Sequence, residues 1–306
     1  MEQTNNSNSR IESFLENPNK ALWTLAIPIM FGMGIHTLYN LIDMIFIGRL
    51  GGSAIAGVAF NMPIFFLMLG LTMGLGSGIT SAIARYIGEK NKEKADNSAD
   101  HALFIAAIIS FFFTIAGVLY GRDILIILGA KGDILSLGYD YLSYIVLGLP
   151  FMVFSGFFRS ILAGEGDMKF PMMIAGLGTV LNIILDPIFI FDLDDYWGLG
   201  LGLGVKGAAL ATVISQLTVF IIFSYMLFIK KHAYISFNFK NFKLSKEILW
   251  NIIKVGVPAS LSMIIMAVGQ GVFNKILINY SPQTVAAYQV AGRLDMLIFL
   301  PIFAIA

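Results

Sequence analysis

The chain has 306 residues, 57% of them apolar and 13% charged, with a net charge of +1 and a mean hydropathy of +0.80. Soluble globular chains run at roughly 45–50% apolar and about 25% charged, so an ordinary soluble enzyme, a disordered chain and a nucleic-acid-binding domain are excluded, and most of the chain is expected in lipid. There is no cysteine, which removes disulfides, thiol catalysis and thiolate metal sites, and three scattered histidines (His36, His101, His232) argue against a zinc centre.

Residues 1–20 are polar, carry both charge signs and lack the pattern of a signal peptide, so they are expected to form a cytoplasmic tail. Continuous apolar runs then predict helical spans rather than a barrel, near Leu22–Ile47, Ala54–Tyr86, Ala102–Leu119, Leu137–Leu162, Phe170–Phe191, Val205–Ile229, Ile248–Ile278 and Val285–Ala306. With the N-terminus inside, thirteen of the twenty Lys and Arg residues fall on cytoplasmic segments and four (Arg49, Arg122, Lys131, Lys206) on the opposite side, the bias expected of that orientation. The basic connector 231–246 separates an N-terminal six-helix lobe (21–230) from the start of a second lobe (247–306). Pro28 and Pro258 sit early in their spans, and GGSAIAGVA (51–59) aligns with SPQTVAAYQ (281–289) at the same offset, a weak internal repeat of the kind transporters carry. The last residues, MLIFLPIFAIA, are still apolar and uncapped, which leads to the expectation of a chain cut within its second lobe, lacking about four helices.

Carboxylates inside hydrocarbon cost about 2.5–3.5 kcal/mol each on the insertion scale, so function is sought there first. His36, Asn40 and Asp43, at i, i+4 and i+7, form one polar helix face bordered by Tyr39; the plainer alternative places Asp43 at a solvated membrane end. Asn182 and Asp186 share a face with Thr179, and Pro187 strips the hydrogen bond from the carbonyl of Ile183. A carboxylate, an amide oxygen and a freed carbonyl are hard ligands, suited to Na+ or, through the carboxylate alone, H+; the alternative is a proline-kinked helix whose Asp bonds a neighbour. Thr212 adds a hydroxyl on a face shared with Ser215 and Gln216, where plain small-residue packing is equally open. Gln270 and Asn274 are possible cavity-lining residues or packing polar groups, and Lys254 is expected to reach back to the water interface. Gly70, Gly74 and Gly78 form a stripe that permits close helix contact. The run GLGLGLGV (198–205) lacks the strand and the acidic residue of a dinucleotide site and is expected to be an outer loop.

Five stretches together resemble the multidrug and toxic compound extrusion (MATE) transporters, of the MepA/DinF-like branch: IPIMFGMGIHTLYNLIDMIFIG through Gly48, GGSAIAGVA, RSILAGEGDMKFPM, NIILDPIFIF and GVKGAALATVISQ. The resemblance implies an all-α polytopic membrane protein with a two-lobe bundle, about eight of twelve transmembrane helices being present here. It implies a monomeric antiporter rather than an enzyme, in the cell membrane, exporting amphipathic or cationic compounds in exchange for Na+ or H+ by alternating access. The coupling ion would be the only cofactor. By motif, Asp43, Asn182, Asp186 and Thr212 match the cation-site residues of the first lobe, with Pro28, Pro187 and Pro258 as candidate kinks. The carboxylate that some relatives carry in the seventh span is Met266 here, so coupling would rest on the first lobe. Two other functions are set beside this one. A lipid-linked saccharide flippase of the same superfamily would call for an intramembrane cationic cluster, and a membrane-embedded enzyme would need a nucleophile–base pair or a metal cluster.

Overall fold

The computed structural model describes residue 34 and residues 42–194, 200–237 and 242–305. The tail, most of the first predicted span and the positions Pro28, His36, Tyr39 and Asn40 lie outside the described residues. Among the described residues all regular structure is helical. We label the helices α1 (42–49), α2 (Gly52–Ala59), α3 (Met62–Gly88), α4 (Lys92–Leu128), α5 (Gly132–Gly164), α6 (Lys169–Ile190), α7 (Val205–Ser224, continued by a wide π turn at Tyr225–Ile229), α8 (Lys246–Leu277) and α9 (Pro282–Ile305). Six stretches are long and apolar enough to cross a bilayer: α2 with α3, then α4, α5, α6, α7 with its π turn, and α8. They coincide with six of the eight predicted spans, and the eighth is helix α9. The chain is a multi-pass α-helical membrane protein.

Two of the predicted boundaries shift, for physical reasons. The second predicted span is two helices broken at Phe60–Asn61, because Pro63 starts the second one and Asn61 turns its side chain back on the chain. Asn61 Nδ2 donates to the carbonyls of Gly57 and Gly138, each at 3.0 Å. The bonds pin the break to α5 at a point where a Cβ on Gly138 would meet the Gly57 carbonyl oxygen at 2.9 Å. The third span starts ten residues earlier than its apolar run. Asn91 caps it through Lys94 N–H, Lys92 pairs with Asp96 one turn on, and Ala95 and Ala99 are fully buried, so a polar-looking segment is helical by capping and packing. The same helix ends at Gly129, whose φ of +107° closes a left-handed cap.

Between apolar helices in lipid there is little hydrophobic drive, so close packing and polar contacts hold the bundle. The glycine stripe of α3 supplies the closest approach. A Cβ on Gly70, Gly74 or Gly78 would overlap Met263, Ser260 or the Ile252 carbonyl of α8. The largest buried side chains, among them Ile79, Ile83, Tyr86, Phe157, Phe158 and Ile161, pack α3 against α5.

At the end of the bundle where α3 and α5 finish, the described parts of the connector, 231–237 and 242–245, are strapped to their neighbours. Glu165 accepts from Tyr234 N–H at 3.0 Å and Ile235 N–H at 2.7 Å, and Asp96 accepts from Ser236 N–H at 2.9 Å. His101 donates from Nδ1 to the Asn97 carbonyl and accepts at Nε2 from Ser245 N–H, a pattern that only the neutral ring with its proton on Nδ1 can make.

Candidate cation site

The site is built at the far end of α6. Asn182 and Asp186 stand one turn apart on its buried face, 4% and 0% exposed. Asn182 Nδ2 donates to Asp186 Oδ1 at 2.9 Å, which fixes the amide with its oxygen free to accept. Asp186 Oδ2 is buried and has no hydrogen bond among the described residues. Pro187 follows without breaking the helix, and its missing N–H leaves the Ile183 carbonyl without its helical donor.

The helix terminus beyond Pro187 is satisfied from outside. The N–H groups of Leu201, Leu203, Gly204 and Gly202 donate to the carbonyls of Ile188, Phe189, Ile190 and Phe191 at 2.7–3.0 Å. Residues 200–204 of the glycine-rich run are therefore a backbone cap over α6. Side chains would not fit there: a Cβ on Gly200 would overlap the Phe191 carbonyl, and one on Gly202, which has φ +63°, would overlap Asp192.

Helix α7 returns antiparallel. Gly207 meets the Phe189 carbonyl and Gly178 meets Val219, so the register places Thr212 level with the Asn182–Asp186 turn. Thr212 is buried and its hydroxyl donates to the Ala208 carbonyl at 3.1 Å, leaving its lone pairs as acceptors. Ser215, one turn further, has a buried hydroxyl with no hydrogen bond among the described residues. Helix α1 completes the group. Phe46 packs edge-on against Phe191 at 5.9 Å, and Ile47 joins Ile190, Phe191, Val205 and Ala208 in one apolar cluster. One turn earlier Asp43 is buried, 9% exposed, and its charge interacts with that of Asp186.

The structure thus brings Asp43, Asn182 and Asp186 together and sets Thr212 at their level. Two carboxylates, a carboxamide oxygen and hydroxyl oxygens are hard, oxygen-only donors. One carboxylate oxygen has no hydrogen-bond donor among the described residues, and such a group fits an alkali cation or a proton. Thr179 lies half-buried on α6. Gln270 is half-buried on α8, while Asn274 is fully buried and spends its groups on helix contacts, donating to the Ala59 carbonyl at 3.1 Å and accepting from Gln289 at 3.3 Å. Pro258 lies within an unbroken α8. Two buried polar groups carried no signal in the sequence. Asn61 ties the α2–α3 break, and Asp100 is 5% exposed in the polar-looking start of α4.

Apolar spanning helices around two buried carboxylates define a polytopic membrane protein with an acidic, oxygen-rich core. The MatE family model matches residues 28–188, more than half of the chain. The chain belongs to the MatE family. It is 31% identical over 278 residues to the multidrug export protein MepA of Staphylococcus aureus (strain MRSA252), covering 90% of this chain and 59% of that protein. It also superposes on an outward-facing and on an inward-facing structure, each of a multidrug resistance MATE family transporter of the MOP superfamily. The outward-facing structure gives a TM-score of 0.81 at 37% identity, over 94% of this chain and 63% of that one. The inward-facing structure gives 0.81 at 36% identity, over 92% and 63%. The chain spans about three-fifths of the length of these relatives.

Proposed function

We propose that the chain forms the first lobe and the opening helices of the second lobe of a multidrug exporter that exchanges amphipathic, often cationic compounds for Na+ or H+. Residues 21–230 make the ion-binding lobe, 231–246 the inter-lobe connector and 247–306 the start of the second lobe. The protein acts as a monomer in the cell membrane, surrounded by lipid, with its N-terminal tail in the cytoplasm. The observation that carries this reading is the buried Asp43–Asp186 pair, with Asn182 holding one oxygen of Asp186 and the other left without a donor among the described residues.

The mechanism follows from the charges. Two carboxylates close together in a medium of low dielectric repel strongly, and a cation or proton placed between them removes the repulsion. Helix α1 and helix α6 are then drawn together when the ion is bound and pushed apart when it leaves. That differential interaction is what an ion needs in order to shift a two-state bundle. The similarity to MATE family transporter structures in outward- and inward-facing states supports two such packings for this chain. The name of the MepA relative supports a drug-like cargo.

The test is uptake of a fluorescent lipophilic cation into vesicles carrying the full-length protein, driven by an imposed Na+ gradient and, separately, by a pH gradient. Uptake with either gradient supports exchange. Uptake with neither, while substrate binding is intact, overturns it.

A further inference from the structure

A second feature lies away from the carboxylate pair. An apolar groove of about 440 Å3 runs between α3, α4, α5 and α8, and none of its lining residues belongs to α1, α6 or α7. Leu67, Phe113, Leu142, Leu149 and Val272 are among its walls, and Lys275 is its single charged lining residue among the described residues. Its size falls within the range of roughly 300–1,000 Å3 typical of small-molecule pockets. Ordered water is a poor occupant, because a buried water needs about two to four polar partners and the walls offer almost none.

Lys275 stands in the last turn of α8, at the end of its span. Its stem packs against the turn joining α4 to α5, where a Cβ on Gly129 would sit 3.4 Å from Lys275 Cγ. Lys275 is exposed, and its ammonium forms no ion pair among the described residues. The wall helix α4 turns Phe111, Phe112 and Leu119 outward at 60–65% exposure, a surface made for hydrocarbon. Three of the groove's own lining residues, Ile127, Val268 and Val272, are 69%, 58% and 53% exposed, so the groove opens to the outside of the described bundle and ends at a cation in the last turn of a spanning helix.

We propose that this groove is a binding site for an anionic phospholipid, one acyl chain lying along the apolar walls and the phosphate resting on Lys275. Charge complementarity selects the class. A phosphatidylglycerol-type headgroup presents a net negative charge to the ammonium, whereas a zwitterionic headgroup brings its own cation and gains little. The proposal is independent of ion exchange, since it involves none of the residues of the carboxylate site.

The test uses the full-length protein in nanodiscs, with Phe113→Trp as reporter in a chain whose every native tryptophan, Trp23, Trp197 and Trp250 among them, is replaced by Phe. Lipids with brominated acyl chains quench the reporter where a chain enters the groove. Brominated phosphatidylglycerol is expected to quench at roughly five-fold lower mole fraction than brominated phosphatidylcholine, the factor that one surface cation supplies against an anionic headgroup. Lys275→Gln should remove that preference while leaving quenching by phosphatidylcholine unchanged, and Lys275→Arg should keep it. Equal quenching by the two lipids with Lys275 present would mean ordinary bilayer contact and overturn the proposal. No quenching by either would mean that protein, a further segment or a second copy, fills the groove, and would overturn it too.

Discussion

Asn182 donates to Asp186 across 2.9 Å, one helical turn away, and the bond orients both groups. The amide spends its donor on Oδ1, so its own oxygen and Asp186 Oδ2 remain as acceptors inside the bundle. A buried polar group left without a partner costs about 1–3 kcal/mol, more when charged. Among the described residues Asp186 Oδ2 has no donor, so under the proposed function the arrangement is expected to work against stability until an ion or proton arrives.

Replacing the carboxylate should then stabilise the protein while disabling it. Asp186→Asn removes a buried charge and its repulsion with Asp43, and the melting temperature of the full-length protein in Na+-free detergent is expected to rise by a few degrees. The wild type should be stabilised by added Na+ or by acid, and the variant should respond to neither. Scanning fluorimetry across Na+ concentration and pH reads both.

Thr212 contributes a neutral oxygen, so its effect should be graded. Thr212→Val is close in shape but loses the hydroxyl, worth about 0.5–1.5 kcal/mol, which corresponds to a half-saturating ion concentration raised by up to about ten-fold. Thr212→Ser should stay near wild type. Identical ion dependence in all three proteins would remove Thr212 from the site.

The contact between α3 and α8 has no spare room at Gly74, where a Cβ would overlap backbone atoms of Ser260. Gly74→Val must push the helices apart and should destabilise the bundle by about 1–3 kcal/mol, the usual penalty of overpacking. Gly88→Ala, at a position with nothing within 4 Å of the added Cβ, is the matched control and should melt like wild type.

The connector strap is expected to depend on pH through Glu165. Burial, the largest influence, raises its pKa above the usual carboxylate value of 4.5, partly offset by the hydrogen bonds from Ile235 and Tyr234. The folded form then holds the proton more tightly than the unfolded one. The contribution of Glu165 to strap stability is fully present below pH 4.5 and declines as pH rises through the folded value. Amide exchange at Tyr234 and Ile235, corrected for its intrinsic pH dependence, should show protection falling over that window. In the Glu165→Gln variant the fall should disappear.

How much of this was legible in the sequence depends on how local each signal is. Asn182, Asp186 and Pro187 stand out because a carboxylate, an amide one turn before it and a proline interrupt an apolar run, and all three are neighbours in the chain. The spans are legible for the same reason, since a continuous apolar stretch in lipid can satisfy its backbone only as a helix. The break at Asn61 is not, because its second bond goes to Gly138, 77 residues away. The glycine stripe announced a close contact, but only the fold shows that α8 fills it. The strap was hidden because Asp96 and Glu165 look like ordinary surface charges until the connector folds over them. Asn274 was ambiguous between cavity and packing, and the structure engages it in helix contacts with Ala59 and Gln289.

The central claim is that the Asp43–Asp186 pair couples ion and substrate. It is tested most directly by ion-gradient-driven substrate flux in proteoliposomes carrying the full-length protein, comparing wild type with Asp43→Asn and Asp186→Asn at matched protein incorporation. The account predicts robust flux for wild type and loss of at least 90% of it, about a ten-fold change or 1.4 kcal/mol, in each variant, with substrate binding retained. Wild-type flux in both variants would contradict it.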